Sequence, residues 1–445
     1  MMTIFALSSG RGRAGISVIR VSGSETKKAI SVLTKNKKLP APRQAALNWF
    51  YDPLNGEPID RGLVIFFPGP NSFTGEDIAE FHVHGGYAVV TEILEALSSI
   101  DGLRSAEAGE FTRRAFDNGK MDLTVAEGLA DLINAETSAQ RRQALRQMDG
   151  ELAGIYKGWR EEIVKAMAYL EADIDFSDEE IPDDVTAGTR PIVEKLRTEI
   201  ADHLNDSFRG ERLRHGLQVV LLGAPNAGKS TLLNYLSKRD VAIVSDIAGT
   251  TRDLLEVHLD ISGYPVNVTD TAGIREGRDV IEAEGVRRAQ QKAHNADLKI
   301  LIIDGSQPVL IDEKMKQHID NNTMILWNKK DLGHAGHHKI NEAIGNWVVS
   351  LSSEDGMPNF MTAFEQEVGK RMELTEVPSL TRTRHRENLK SALTHLERYL
   401  NAVHSELELL SEDLRMAARD IGKITGMVDV EEILEKIFKE FCIGK

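Results

Sequence analysis

A lone cysteine, Cys442, in 445 residues has no partner within the chain, so an internal disulfide framework is excluded and a reducing compartment is expected. No apolar run reaches the roughly 20 residues that span a bilayer. Met1 to Arg13 also lacks the apolar centre of a secretory signal, so the expectation is a cytoplasmic chain with no membrane attachment. Positive charge is in deficit: 54 Lys and Arg stand against 69 Asp and Glu, a net charge of −15. Such a chain does not coat nucleic acid through its overall charge, although a local basic patch stays open. No internal repeat is evident, and the length predicts roughly two to four domains.

The firmest chemistry lies between Leu217 and Asp253. The apolar run Leu217–Leu222 reads as a buried strand; Gly223-Ala224-Pro225-Asn226-Ala227-Gly228-Lys229-Ser230 follows, and Thr231–Leu236 then reads as a helix. A strand, G-x-x-x-x-G-K-S and a helix in that order form a phosphate-binding loop. Its backbone N–H groups turn inward around phosphate oxygens, and the helix N-terminus favours negative charge. Lys229 reaches the β- and γ-phosphates, and the Ser230 hydroxyl suits Mg²⁺.

Three further blocks each end a strand. Asp270-Thr271-Ala272-Gly273 offers a carboxylate towards Mg²⁺ and a glycine N–H towards a γ-phosphate. Asn328-Lys329-Lys330-Asp331 places an acceptor-only carboxylate where guanine presents two adjacent donors, so Asp331 selects guanine over adenine. Ser350-Leu351-Ser352-Ser353 offers backbone N–H to the guanine carbonyl. Four blocks in order at strand C-terminal ends, where open α/β sheets bind ligands, predict a GTPase domain. Lys238–Asp253 is expected to be the first switch, with Thr251 beside Ser230 as a second Mg²⁺ ligand. Ser262–Pro265 reads as a hairpin turn, which predicts a mostly parallel sheet with one antiparallel edge strand. Ile274 stands where small Ras-like GTPases carry a water-orienting glutamine, and its side chain has no hydrogen-bonding group. A polar group from elsewhere must serve, and Arg275, Glu276, Glu282 and Glu284 are the candidates nearby. With no arginine finger identifiable, a bound cation, with the Asn226 side-chain oxygen as one ligand, is a candidate replacement for its charge.

Residues 1–118 mix short strands, at Ile16–Val21, Gly62–Phe67 and Ala79–His84, with a helix from Gly86 to Ile100, and predict an α+β domain. His82 and His84 share a strand face. With no cysteine or carboxylate at ligand spacing, they read as core or hydrogen-bonding histidines rather than metal ligands. Arg20 and Glu80 are charges inside apolar strands and read as edge or pocket-rim residues. Helical periodicity covers Leu123–Met148, Leu152–Ile174 and Ile192–Leu213, then Ser379–Leu410, Leu414–Ile421 and Val430–Phe441. The simplest arrangement is a bundle of residues 119–215 and 379–445, with the GTPase domain, 216–378, inserted at a surface site. The expected fold is therefore multidomain: an α+β N-terminal domain, an α-helical bundle and an inserted α/β P-loop GTPase domain.

Over essentially its whole length the chain resembles the MnmE (TrmE) family of tRNA-modification GTPases. The resemblance rests on Gly109–Phe116 with Asn118-Gly119-Lys120, on Pro225–Ser230, on Asp246-Ile247-Ala248-Gly249-Thr250-Thr251-Arg252-Asp253 and on Cys442-Ile443-Gly444-Lys445. It implies a homodimer formed through the N-terminal domain, with a folate site there for a 5-formyl- or methylene-tetrahydrofolate, matched by Arg20, Glu80, Lys120 and Lys445. It implies nucleotide contacts from residues 226–231, 245–251, 270–273, 328, 329, 331, 352 and 353. It implies K⁺-stimulated hydrolysis, with Asn226, Ser245, Ile247 and Thr250 around the ion and Glu282 organising the catalytic water alongside Lys229. Ser353 stands where the family usually has alanine, and Ser245 where threonine is common. The implied activity is GTP hydrolysis coupled, with an MnmG-type flavoprotein partner in a heterotetramer, to carboxymethylaminomethyl modification of the wobble uridine of tRNA. Cys442 has a possible chemical role beside Lys445. The rival reading is an RNA-binding GTPase switch in ribosome assembly that modifies nothing.

Overall fold

The computed structural model describes residues 2–175, 184–206, 208–239, 255–270, 292, 294–306, 316–317, 319–333, 340–373, 378–402, 407–428, 431–439, 441 and 443–444. Contacts divide the chain into two compact units. The first is Met1–Ala130 with Gln147–Thr186 and His404–Lys445; the second is Asp131–Arg146 with Ala187–Val403.

The first unit carries a six-stranded sheet of β1 (Thr3–Leu7), β2 (Ala14–Ser22), β3 (Ala46–Tyr51), β4 (Pro58–Phe67), β5 (Ile78–Gly85) and β6 (Leu103–Ser105), in the order β3-β4-β5-β2-β1-β6. Strands that alternate apolar and polar residues bury one face. Here Ile19, Val21, Val64, Phe66, Phe81 and Val83 pack under the helices Thr26–Thr34 and Tyr87–Ser98. On the opposite face Ile4 and Ala6 meet Ala106 and Phe111, with Phe73 against them. Away from the sheet, the long helix Glu151–Asp175 packs along Leu407–Thr425. Leu434, Ile437 and Phe438 of the helix Glu431–Lys439 pack on Leu123, Ala126 and Ala130. The chain then returns to the sheet: Ile443 bridges Ala108, and the Ser8 hydroxyl donates to the Gly444 carbonyl at 2.8 Å.

The second unit is built on β7 (Leu217–Leu222), β8 (Leu255–Ile261), β9 (Tyr264–Asp270), β10 (Leu298–Asp304), β11 (Thr323–Asn328) and β12 (Gly345–Val348), in the order β12-β11-β10-β7-β9-β8. All pairings are parallel except that of the edge strand β8 with β9, as the hairpin signal predicts. The turn is tighter than expected, a two-residue Ser262-Gly263 connection with φ of 53° and 89°, the left-handed pair that matches strand twist. Both faces of the sheet are covered. Leu232 and Leu236 of the helix Lys229–Arg239 and Phe360 and Phe364 of Met357–Met372 fill one side; Val220, Leu301, Ile303 and Trp327 fill the other. Strands buried on both faces read as unbroken apolar runs, which is the character of β7 and β10.

Helix boundaries differ from the periodicity. The expected helix Leu123–Met148 is two, Leu123–Ile133 and Ser138–Met148. A capping box separates them: Gln140 N–H donates to Thr137 Oγ1 at 3.4 Å and Thr137 N–H to Gln140 Oε1 at 3.0 Å. Ile192–Leu213 is likewise Asp184–Leu204 followed by Arg209–His215, with Asp206 Oδ1 accepting the Phe208 N–H between them. Ser379–Leu410 resolves into Thr383–Asn401 and the start of Leu407–Thr425. The helical residues contribute to both units.

Candidate functional site

At the C-terminal end of β7 the loop closes on glycines that nothing else can replace. A Cβ on Gly223 would stand 2.2 Å from the Ile302 carbonyl oxygen, and one on Gly228 2.3 Å from Asn328 Nδ2; both residues have positive φ. Asn226 also adopts a left-handed φ of 63°, which asparagine tolerates better than most residues. The loop delivers Lys229, only 5% exposed, to the start of its helix. Its ammonium donates to the Gly223 and Ala224 carbonyls at 2.6 and 2.9 Å. Burial pushes the lysine below its ordinary pKa, against the pull of the nearby Asp270 charge. Ser230 and Thr231 open the first turn on the exposed side. The Ser230 hydroxyl reaches Asp270 Oδ2 at 3.0 Å, and Asp270 is fully buried at the end of β9. A hydroxyl and a carboxylate converging at a helix N-terminus are hard oxygen donors of the kind Mg²⁺ takes. The donor set fits that ion.

The base-reading loops lie at the ends of β11 and β12. Asn328 holds them to the phosphate loop: its Nδ2 donates to the Ala227 carbonyl at 2.8 Å, and its Oδ1 accepts the Leu351 N–H at 3.0 Å. That stitching role lay outside the sequence reading, because residues 227 and 351 meet only after the sheet forms. Lys329, at φ 68°, ion-pairs with Asp304 at 2.6 Å. Asp331 stands exposed and accepts the Ser352 hydroxyl at 3.1 Å. Hydrogen bonding from Ser350 and then Ser352 holds its carboxyl below the usual range. Ser353 donates its N–H to Ser350 Oγ at 3.2 Å. The blocks expected to meet phosphate, Mg²⁺ and guanine therefore converge on one edge of one sheet.

A second cluster occupies the first unit. Arg20 and Glu80 are direct cross-strand partners on β2 and β5, both interior strands, which removes the edge half of the edge-or-pocket-rim expectation. The Arg20 Nε and Nη2 both donate to Glu80 Oε1, at 3.1 and 2.8 Å. The guanidinium lies over Phe73 and Phe111 at 5.5 and 5.8 Å. The other Glu80 oxygen is 3.4 Å from His82 Nε2. Lys120 donates to the Pro70 carbonyl at 2.9 Å, on the same loop that carries Phe73. His84 pairs through Nδ1 with Asp60 at 2.8 Å. Burial would raise the Asp60 carboxyl, yet hydrogen bonds from His84 pull it below its usual value. Carboxylate partners thus come from neighbouring positions in space, and the histidines take the hydrogen-bonding role.

The expected site residues Ser245, Asp246, Ile247, Ala248, Gly249, Thr250, Thr251, Thr271, Ala272, Gly273, Glu282, Cys442 and Lys445 lie outside the described residues, as do Ile274, Arg275, Glu276 and Glu284.

Residues 3–120 match the family model described as GTP-binding protein TrmE N-terminus, and residues 123–442 match the MnmE helical domain. The chain belongs to the MnmE (TrmE) family. A tRNA modification GTPase MnmE of Parvibaculum lavamentivorans is 50% identical over 449 residues, covering 100% of both chains. The MnmE of Paramagnetospirillum magneticum is 51% identical over 447 residues, covering 100% of this chain and 99% of the relative. A mitochondrial 5-taurinomethyluridine tRNA synthase subunit of Danio rerio is 46% identical over 467 residues, covering 100% of this chain and 93% of its own length. Among the described residues no helix is long and apolar enough to cross a membrane.

Proposed function

We propose that this chain is a GTP hydrolase that acts in tRNA modification, at C5 of the wobble uridine, as a homodimer with a flavoprotein partner of the MnmG type. The observation that carries the reading is the convergence of Lys229, the Ser230–Asp270 pair and Asp331 on one sheet edge, in a chain matched end to end by proteins named tRNA modification GTPases.

The β- and γ-phosphates of GTP lie at the start of the helix Lys229–Arg239, where Lys229 exchanges its carbonyl partners for phosphate oxygens. Asp331 accepts the two adjacent N–H donors of guanine. Ser230 and Thr251 would hold Mg²⁺, with Asp270 reaching it through water, and the bound ion would neutralise phosphate charge. Asn226, Ser245, Ile247 and Thr250 hold K⁺. With no polar side chain at Ile274, Glu282 orders the attacking water.

In the first unit, Glu80 suits a reduced folate on chemical grounds. A pterin ring presents the same 2-amino-4-oxo edge as guanine, and a carboxylate answers both. Phe73 and Phe111 supply flat apolar surface beside it, and Arg20, Lys120 and Lys445 complete the set. The folate supplies a one-carbon unit when bound.

The test is hydrolysis by the purified full-length chain. We expect GTP turnover about tenfold or more faster in K⁺ than in Na⁺, an effect of roughly 1.4 kcal/mol or more on the barrier. Equal rates remove the cation from the reading; absence of GTP cleavage in K⁺ removes the reading itself. Mass analysis of wobble nucleosides from cells lacking the chain tests the tRNA step, and unchanged nucleosides would exclude it.

A further inference from the structure

A cavity of about 1260 Å³ opens in the first unit, walled by Phe5, Leu7, Val90, Leu94, Phe441 and Ile443. Small-molecule sites usually occupy about 300–1,000 Å³, so this one has room for a ring system and a further extended group. Arg20 and Glu80 do not line it, and two alanines connect it to their cluster. Ala6 and Ala106 line it; Ala6 pairs in register with Arg20, and both alanines pack with Phe111, the ring beneath the Arg20 guanidinium.

The charged residues among those lining the cavity are Arg11, Arg13 and Glu95. Arg11 and Arg13 are exposed, and neither has a hydrogen-bond or ion-pair partner among the described residues. They sit in a loop with Gly10 and Gly12, just before Gly15 of β2, and an added Cβ at any of these three glycines would meet nothing within 4 Å. Two guanidinium groups on a loop that lines an apolar cavity, against the single carboxylate of Glu95, leave a local excess of positive charge on a chain of net charge −15.

We propose that this cavity takes the tail of a reduced folate, and that Arg11 and Arg13 bind successive carboxylates of a poly-γ-glutamate chain. The proposal rests on the reduced-folate reading above and adds a selectivity to it: the polyglutamylated carrier is preferred over the monoglutamate. Because both arginines are exposed, each pair contributes modestly and is screened by salt.

The experiment is a titration of the full-length chain with tetrahydrofolate monoglutamate and triglutamate under anaerobic conditions. At low salt we expect the triglutamate to bind about five- to tenfold tighter, with the ratio shrinking as salt rises. In Arg11→Gln/Arg13→Gln the ratio falls to about one, while Arg11→Lys/Arg13→Lys keeps most of it. Equal affinities in the wild type, with monoglutamate binding measurable, overturn the tail site and leave the folate reading standing. A preference that survives Arg11→Gln/Arg13→Gln overturns the assignment to these two residues. No binding of either folate removes the folate reading, and the tail site with it.

Discussion

On the proposed reading, Asp331 selects the base with a single carboxylate held by Ser352. Replacing it with Asn swaps one acceptor for a donor and leaves a guanine N–H unanswered. Asp331→Asn is expected to weaken GTP binding about ten- to a hundredfold, the range for a hydrogen bond to a charged group, and to favour xanthine nucleotides; competition binding with both nucleotides checks it. Because the carboxyl is depressed by Ser350 and Ser352, the proposed guanine reading should persist through the usual carboxylate range and fade only as pH falls through the lowered value. These residues were legible in the sequence because phosphate and guanine chemistry dictate residue type and spacing. The pairing of Arg20 with Glu80 was not, since it depends on β2 lying beside β5, a fact of topology that neither strand carries alone. Asn328 was legible as a guanine-loop residue, while its grip on Ala227 and Leu351 was not.

Among the elements, the β8–β9 hairpin is the most tightly specified. The Gly263 N–H donates to Asp260 Oδ1 at 2.6 Å, and its carbonyl accepts the Ala139 N–H at 3.1 Å. A Cβ there would stand 2.6 Å from Ser138 Oγ. Gly263→Ala is expected to cost about 1–3 kcal/mol in the second unit, from the left-handed backbone, and Ser138→Ala should recover only the contact part; a double-mutant cycle in denaturant separates the two. In the first unit, Arg114 is almost fully buried, between Glu76 at 3.0 Å and Glu110 at 3.0 Å. Arg114→Met takes the guanidinium from Glu76 and leaves Glu110 to Arg104, and should destabilise the unit towards the lower end of about 3–5 kcal/mol. Burial acts to raise Glu110, but Arg104 and Arg114 bring it below its ordinary value. A depressed carboxylate adds stability above its unfolded pKa and loses it as pH falls through the folded one. The wild type should therefore weaken on acidification below about pH 4.3, and Glu110→Gln should flatten that slope; pH-dependent unfolding measures it. Thr137-x-x-Gln140 shows why element ends were harder to read than element types: the capping signal is short, and helical periodicity runs straight through it.

For the whole chain, the order of motifs gave an expected GTPase range, 216–378, but not the partition into two units, because contacts between distant segments decide it. Residues 131–146 join the nucleotide-binding unit, although they sit within a helical stretch that otherwise belongs to the first. Two units with separate cores should give two calorimetric transitions. GDP at about a hundred times its Kd should raise the stability of one by roughly 2.7 kcal/mol and leave the other in place. A single transition that shifts as a whole would contradict the partition.

The order of the segments also bears on how the chain is made. Everything the nucleotide-binding unit uses has been synthesised by Val403, whereas the first unit still awaits His404–Lys445. Until then the apolar side of Glu151–Asp175, with Tyr156, Ile163 and Leu170, lacks Leu414, Ala417 and Ile421. At about 5–20 residues per second, that greasy surface stays uncovered for on the order of ten seconds or more. The nascent chain can thus carry a finished nucleotide pocket beside a half-built neighbour, and a holdase chaperone should find its grip on that one helix.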